Sequence, residues 1–188
     1  MDAAQIVAEL ERLPLHSVEQ AKATNGVPAA PGFYAWWAIP DAIPCVVAPY
    51  HHPSVDLVLF YVGIAPRAAT SGAQLRSRLC HQHIGGNVAS STFRFDLAAL
   101  LWEDSGWTLR RSPSGKVRLD ASDNGALSSW QRDHLRLRWA VVDEPWLYEA
   151  EVVMTMRPAL NRDHNQNHPF YIKMGLVRDH LRKAALMH

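Results

Sequence analysis

Apolar residues at positions 3, 6, 7, 10 and 13 recur with a helical period, and Pro14 closes the run, which predicts an N-terminal helix over 3–13. After the turn-forming NGVPAAPG the period changes. The aromatic segment GFYAWWAI (32–39) and the β-branched and aromatic run VDLVLFYVGIA (55–65) read as two adjacent strands. Between them PDAIPCVVAPYHHPS holds four prolines, so residues 40–55 form an irregular surface insertion. A second insertion, 66–73, contains RAATSGA.

Helical spacing returns over 73–83, with Leu75 and Leu79 inward, and again over 92–103, where Ser90 or Ser91 supplies the cap. TLRRSPSGKVRLD (108–120) reads as a hairpin about Pro-Ser-Gly, ALSSWQRDH as a weak helix, and LRLRWAVV (135–142) as a half-exposed strand. Pro145 opens a helix that runs to about residue 156 and stops at Pro158. A polar loop, NRDHNQNHP, leads to a last amphipathic helix over 171–186. These elements place the chain in the α/β (α+β) class, without repeats or low-complexity tracts.

Length and composition fit one core. With 188 residues, 48% of them hydrophobic, a single domain over 1–188 is expected. The net charge of +1 is uninformative, but its distribution is uneven. Residues 1–60 carry two basic and six acidic side chains, whereas 67–118 carry eight basic and three acidic. Arginine outnumbers lysine fifteen to four, which suits two-pronged phosphate binding and equally suits GC-rich coding. Cys45 and Cys80 have no framework spacing, and the N-terminus lacks the basic start and apolar run of a signal peptide, so a reduced cytoplasmic protein is expected. No apolar stretch nears the roughly 20 residues that span a bilayer, so no membrane partner is expected.

Among polar residues, Glu149 stands out. On the Pro145 helix, positions 146, 149, 150, 153 and 156 share a face and read Trp, Glu, Ala, Val, Met. A carboxylate in an apolar stripe must meet a cation, either a structural arginine or a metal. Tyr34 and Tyr61 occur in Gly32-Phe33-Tyr34 and Tyr61-Val62-Gly63, whose glycines allow close packing or ligand approach. Taken singly, each is better explained as a core tyrosine with a satisfied hydroxyl. In QLRSRLCHQH, α-helical spacing sets Arg78, His81 and Gln82 on one flank and Arg76, Cys80 and His83 on another. Such a helix can hold a phosphate, or can be a solvated basic face.

In order and spacing these residues resemble the GIY-YIG nuclease family. Gly32-Phe33-Tyr34 corresponds to the first triplet and Tyr61-Val62-Gly63 to the second. Leu75-Arg-Ser-Arg78-Leu follows as the arginine helix, and Glu149 precedes Asn161 by twelve residues in YEAEVVMTMRPALN. The resemblance spans about residues 30–165. It implies a small central, mainly antiparallel sheet of about three strands flanked by helices, and hydrolysis of phosphodiester bonds in DNA with Mg²⁺ or Mn²⁺.

By the resemblance, Glu149 ligates the metal, Tyr34 is the general base, Arg78 clamps the phosphate, Tyr61 orients water or phosphate, and Asn161 holds the surrounding loop. The family often has a histidine one turn beyond the arginine, where this chain has Gln82. His81 is favoured for that role by its i to i+3 relation to Arg78, with His83 as a proton relay. Arg76, Arg94, Arg110, Arg111 and Arg118 are candidate contacts to DNA phosphates. The long gap between the tyrosines and the loop before the arginine helix depart from the family pattern, and both are expected to border the cleft. Two other readings are a DNA-binding module that keeps the fold without the chemistry, and a zinc site drawn from Cys80, His81, His83, His164 and His168.

Overall fold

In the computed structural model, which describes residues 1–23 and 26–187, a three-stranded antiparallel sheet lies between two layers of helices. Strand β1 (Gly32–Ala38) is central, flanked by β2 (Val58–Ala65) and β5 (Leu135–Val141), in the order β2-β1-β5. All seven residues of β1 and all eight of β2 are buried, as their unbroken apolar sequence requires. β5 alternates buried and partly exposed positions over 135–138, as its sequence implies, and the alternation breaks at Trp139, which is partly exposed. The free edge of β2 is covered by the backbone of 159–160, whose N–H groups donate to Leu59 and Phe60 at 3.2 and 2.8 Å.

The two faces of the sheet have separate cores. Phe33, Ala35 and Trp37 point to one face with Leu59, Val62 and Ile64, beneath α1 (Ala3–Leu10) and α5 (Glu149–Met156). Tyr34, Trp36 and Ala38 point to the other. That side is covered by α2 (Val18–Lys22), a π-helix (Ser77–Ile84), α3 (Thr92–Ser105), α4 (Ala121–His134) and α6 (Tyr171–Ala184). A small hairpin, β3 (Leu109–Arg111) and β4 (Val117–Leu119), adds Leu109, Val117 and Leu119 to the same core.

Several elements differ from the sequence reading. The N-terminal helix stops at Leu10, short of Leu13, and the proposed Pro145 helix is a 3₁₀ turn over Pro145–Leu147 followed by α5. The weak helix before β5 is longer than its apolar pattern suggests and begins at Ala121. α2 was not anticipated, although Ser17 and Gln20 form a reciprocal capping box, a signature legible as S-x-x-Q. The first insertion reaches both faces: Ile43 joins the core that holds Tyr34, whereas Tyr50 and His52 pack against Trp37 on the opposite face, where the Tyr50 hydroxyl donates to Glu11 at 2.7 Å. Among the described residues no helix is long and apolar enough to cross a membrane.

Candidate active site

The glycines of the two triplets act through close approach. In the β1–β2 register Tyr34 lies opposite Gly63, and a Cβ at position 63 would stand 2.3 Å from the Tyr34 hydroxyl. The phenol crosses β2 because that residue has no side chain. At Gly32 a Cβ would stand 2.1 Å from the Ala140 carbonyl, so this glycine serves the approach of β5. Phe60 is the extra residue of a bulge, since Trp36 pairs with Tyr61 and Trp37 with Leu59. The bulge sets Phe60 and Tyr61 against the same core, and the Tyr34 and Tyr61 rings stack with centroids 6.3 Å apart.

Tyr34 is bonded to His83. The Tyr34 hydroxyl lies 2.7 Å from His83 Nε2, and His83 Nδ1 lies 2.7 Å from Ser91 Oγ. Ser91 also caps α3, accepting from the Arg94 N–H at 3.1 Å. His81, the histidine favoured by α-helical spacing, is exposed and stands outside this cluster. The physical reason is the π-helix. Its turns close i to i+5, as in the Gly85 N–H to Cys80 carbonyl bond at 2.9 Å, so a residue five beyond Arg78 comes to the side that i+3 or i+4 would occupy in an α-helix.

Arg94 is a second correction. As a candidate DNA contact it needed to reach solvent, but it is wholly buried. Its guanidinium donates to the His83 and Ile84 carbonyls at 3.4 and 3.2 Å, to the Asn124 carbonyl and side chain at 3.0 and 2.9 Å, to Ser128 Oγ at 3.1 Å and to Gln131 Oε1. No acid neutralises it in these bonds, and burial lowers its pKa to about 10. Arg94 therefore clasps the C-terminal carbonyls of the π-helix to α4 and fixes the segment that carries His83. Arg76 also turns inward, donating from Nε to the Val27 carbonyl at 2.7 Å. Arg110 is exposed and paired with Asp120 at 2.8 Å, while Arg111 and Arg118 are exposed on the hairpin.

Arg78 and Glu149 have unmet bonding capacity. Arg78 donates from Nη1 to Gln82 at 2.6 Å, and its buried Nε has no partner. Glu149, the half-buried first residue of α5, forms no hydrogen bond or ion pair among the described residues. Burial raises its pKa, and the nearby charges of Arg67, His164 and Arg78 oppose that rise. Arg67 was not singled out from the sequence. It follows β2 directly, in the insertion, and its charge is felt by Tyr34, Tyr61 and Glu149.

Burial raises the pKa of Tyr34 while Arg78 and Arg67 favour its phenolate; burial likewise raises Tyr61. His83 is held well below the ordinary histidine value, first by burial and then by Arg78, Arg67 and Arg94. A neutral imidazole results, able to accept at one nitrogen and donate at the other. Asn161 is structural in its bonding: Oδ1 accepts from the Val62 N–H at 3.0 Å and Nδ2 donates to the Val62 carbonyl at 2.7 Å, fixing β2 between Tyr61 and Gly63.

The family model described as the GIY-YIG catalytic domain matches residues 32–182. The chain belongs to the GIY-YIG family. The matched span contains every residue from Tyr34 to Asn161 discussed above and most of α6, and membership places the chain among nuclease-type domains. No curated protein and no solved structure matches the chain.

The donor set of this GIY-YIG domain separates possible metals. Among the described residues no group of three or more His, Cys, Asp or Glu is gathered, so the zinc reading has no ligand shell. His83 spends both ring nitrogens on Tyr34 and Ser91, and His168 Nδ1 accepts from the Phe170 N–H at 3.0 Å. A single unpaired carboxylate fits an oxygen-seeking ion that keeps several waters and takes further ligands from a phosphate, as Mg²⁺ does.

Proposed function

We propose that this chain is a metal-dependent endonuclease that hydrolyses phosphodiester bonds in DNA. The observation that carries the reading is the Tyr34–His83–Ser91 chain, set beside an arginine with a free buried Nε and an unpaired carboxylate. Glu149 would hold Mg²⁺ or Mn²⁺, which when bound supplies charge neutralisation at the phosphoryl oxygens and acidifies bound water.

The remaining chemistry belongs to the chain. Tyr34 is neutral at rest, because burial opposes the phenolate. As the attacking water gives a proton to the Tyr34 oxygen, the tyrosine's own proton passes to His83 Nε2, so no free phenolate accumulates in a buried site. This requires the tautomer with hydrogen on Nδ1, which Ser91 Oγ satisfies by accepting from His83 and from the Arg94 N–H with its two lone pairs. The water oxygen bonds to phosphorus as the P–O bond to the leaving oxygen breaks, and the leaving oxygen takes a proton from water. The His83 imidazolium, which burial and the neighbouring arginines disfavour, returns its proton through Tyr34 to solvent. Arg78 pairs with the non-bridging oxygens as charge develops, and Arg67 adds a second cation. Tyr61 packs against the Tyr34 ring, and Asn161 fixes the strand that bears Tyr61.

Supercoiled plasmid incubated with the protein and Mg²⁺ or Mn²⁺ tests this. Nicking or linearisation is expected with the ion, none in excess chelator and none with Glu149→Gln. A folded Glu149→Gln protein that cuts as fast as wild type contradicts the metal assignment. Salt-dependent DNA binding by the wild-type protein with no cleavage under any ion would identify a binding module instead.

A further inference from the structure

A cavity of about 560 Å³ lies beside the site and shares two residues with it, Arg78 and Ser91. Tyr34, Tyr61 and Glu149 do not line it. Its rim is cationic and comes from separate parts of the chain: Arg111 and Lys116 from the β3–β4 hairpin, Arg178, Arg182 and Lys183 from α6. Among the described residues no acid lines it.

Two of these cations are held in place. Arg178 donates to buried Asp96 on α3 at 2.6 and 2.5 Å, which anchors α6 beside the cavity. The Arg182 guanidinium lies over the Phe95 ring, 5.1 Å from its centre, and also reaches Asp179 on its own helix at 2.7 Å. Val88, Phe95 and Val117 give an apolar lining beneath the charged rim. Cations around an apolar and aromatic lining are the pattern by which unpaired nucleotides are held, phosphates at the rim and bases on flat side chains. The volume suits a small ligand enclosed in a pocket rather than a duplex lying across a surface.

We propose that this cavity receives an unpaired nucleotide of the DNA strand that continues from the phosphate at Arg78, so that the enzyme acts where duplex meets single strand. The inference rests on the nuclease reading for the identity of the polymer. Arg111, Lys116 and Lys183 take phosphates, and the Arg182–Phe95 stack takes a base.

Fluorescence anisotropy on the full chain in chelator, where nothing is cut, compares a blunt duplex with the same duplex bearing a six-nucleotide overhang. The overhang is expected to tighten binding at least about tenfold, and an abasic overhang to recover only part of that. Lys116→Ala with Lys183→Ala should abolish the advantage. It should also lower the log–log salt slope by about 0.7 for each lost phosphate contact to the single strand. Hydrolysis of bis(p-nitrophenyl) phosphate should be unchanged in that variant, because neither lysine belongs to the catalytic cluster. Equal binding of blunt and overhanging duplexes, or an advantage that survives the double substitution, overturns the proposal. If the overhang preference is present and lost on substitution while no diester is hydrolysed, the cavity assignment stands and the catalytic reading fails.

Discussion

The two faces of one sheet have been put to different uses. Beneath α1 and α5, Phe33, Ala35, Trp37, Leu59, Val62 and Ile64 form an apolar core whose central sheet residues carry no titratable group. On the other face Tyr34 and Tyr61 stand among His83, Arg94 and Asp96, all buried, and Tyr34, His83, Arg94 and Asp96 are each held by specific hydrogen bonds. Alternation along β1 separates the two sets residue by residue, so a single strand supplies both. Polarity on the second face is held in place by α3 and α4, through Ser91, Asn124, Ser128 and Gln131. Glu149 enters from the other layer, as the first residue of α5, and its charge is felt at Tyr34.

Substitutions on each face should separate stability from activity. Trp37→Ala removes a wholly buried ring from the apolar face and is expected to cost about 3–5 kcal/mol in chemical denaturation, while the protein that remains folded keeps its specific activity. Activity lost out of proportion to folding would show that the apolar face shapes the site directly. Arg78→Ala on the other face should lower the cleavage rate by roughly 10²–10³, equivalent to about 3–4 kcal/mol of barrier, with the denaturation midpoint nearly unchanged. Gly63→Ala is intermediate. Its methyl must displace the Tyr34 ring, so about 1–3 kcal/mol of stability and most of the activity should be lost together.

The smallest effect is in pH. Burial holds His83, and also His16, His52 and His168, below the ordinary histidine value. For such groups the stability is present above about 6.5 and is lost as pH falls below it, since only the unfolded chain then takes up the proton. The slope is at most about 1.4 kcal/mol per pH unit for each histidine. Asp96, raised to about 6 by burial against its bond to Arg178, acts in the opposite sense and gains stability as pH falls from about 6. Urea titrations between pH 7.5 and 5.5 should therefore show falling stability, flattened in His83→Gln. An unaltered slope in that variant would mean that His83 is protonated in the folded protein.

The strands and the adjacency of β1 and β2 were legible because continuous aromatic and β-branched runs, and a hairpin about Pro-Ser-Gly, have few alternative structures, whereas nothing in LRLRWAVV named β1 as the partner of β5. Family membership was legible from the order of Tyr34, Tyr61, Arg78, Glu149 and Asn161. The histidine was half legible: His83 was read as a relay behind His81, because spacing arguments assume i to i+4 geometry and the segment is a π-helix. Arg94 was misread for a related reason: a basic residue in a basic stretch reads as surface, and its six acceptors come from residues 83–84 and 124–131, which only the fold assembles. Arg67 sat in what looked like an insertion, where proximity to Glu149 and Tyr34 depends on how β2 ends.

The most direct test of the account is Tyr34→Phe, which removes one oxygen from the polar face and leaves the ring that packs over Gly63. Single-turnover cleavage with Mg²⁺ should fall by about 10²–10⁴ while stability falls by about 1–3 kcal/mol, because buried His83 Nε2 loses its partner. Cleavage at the wild-type rate by the folded variant would contradict a proton path from water through Tyr34 to His83.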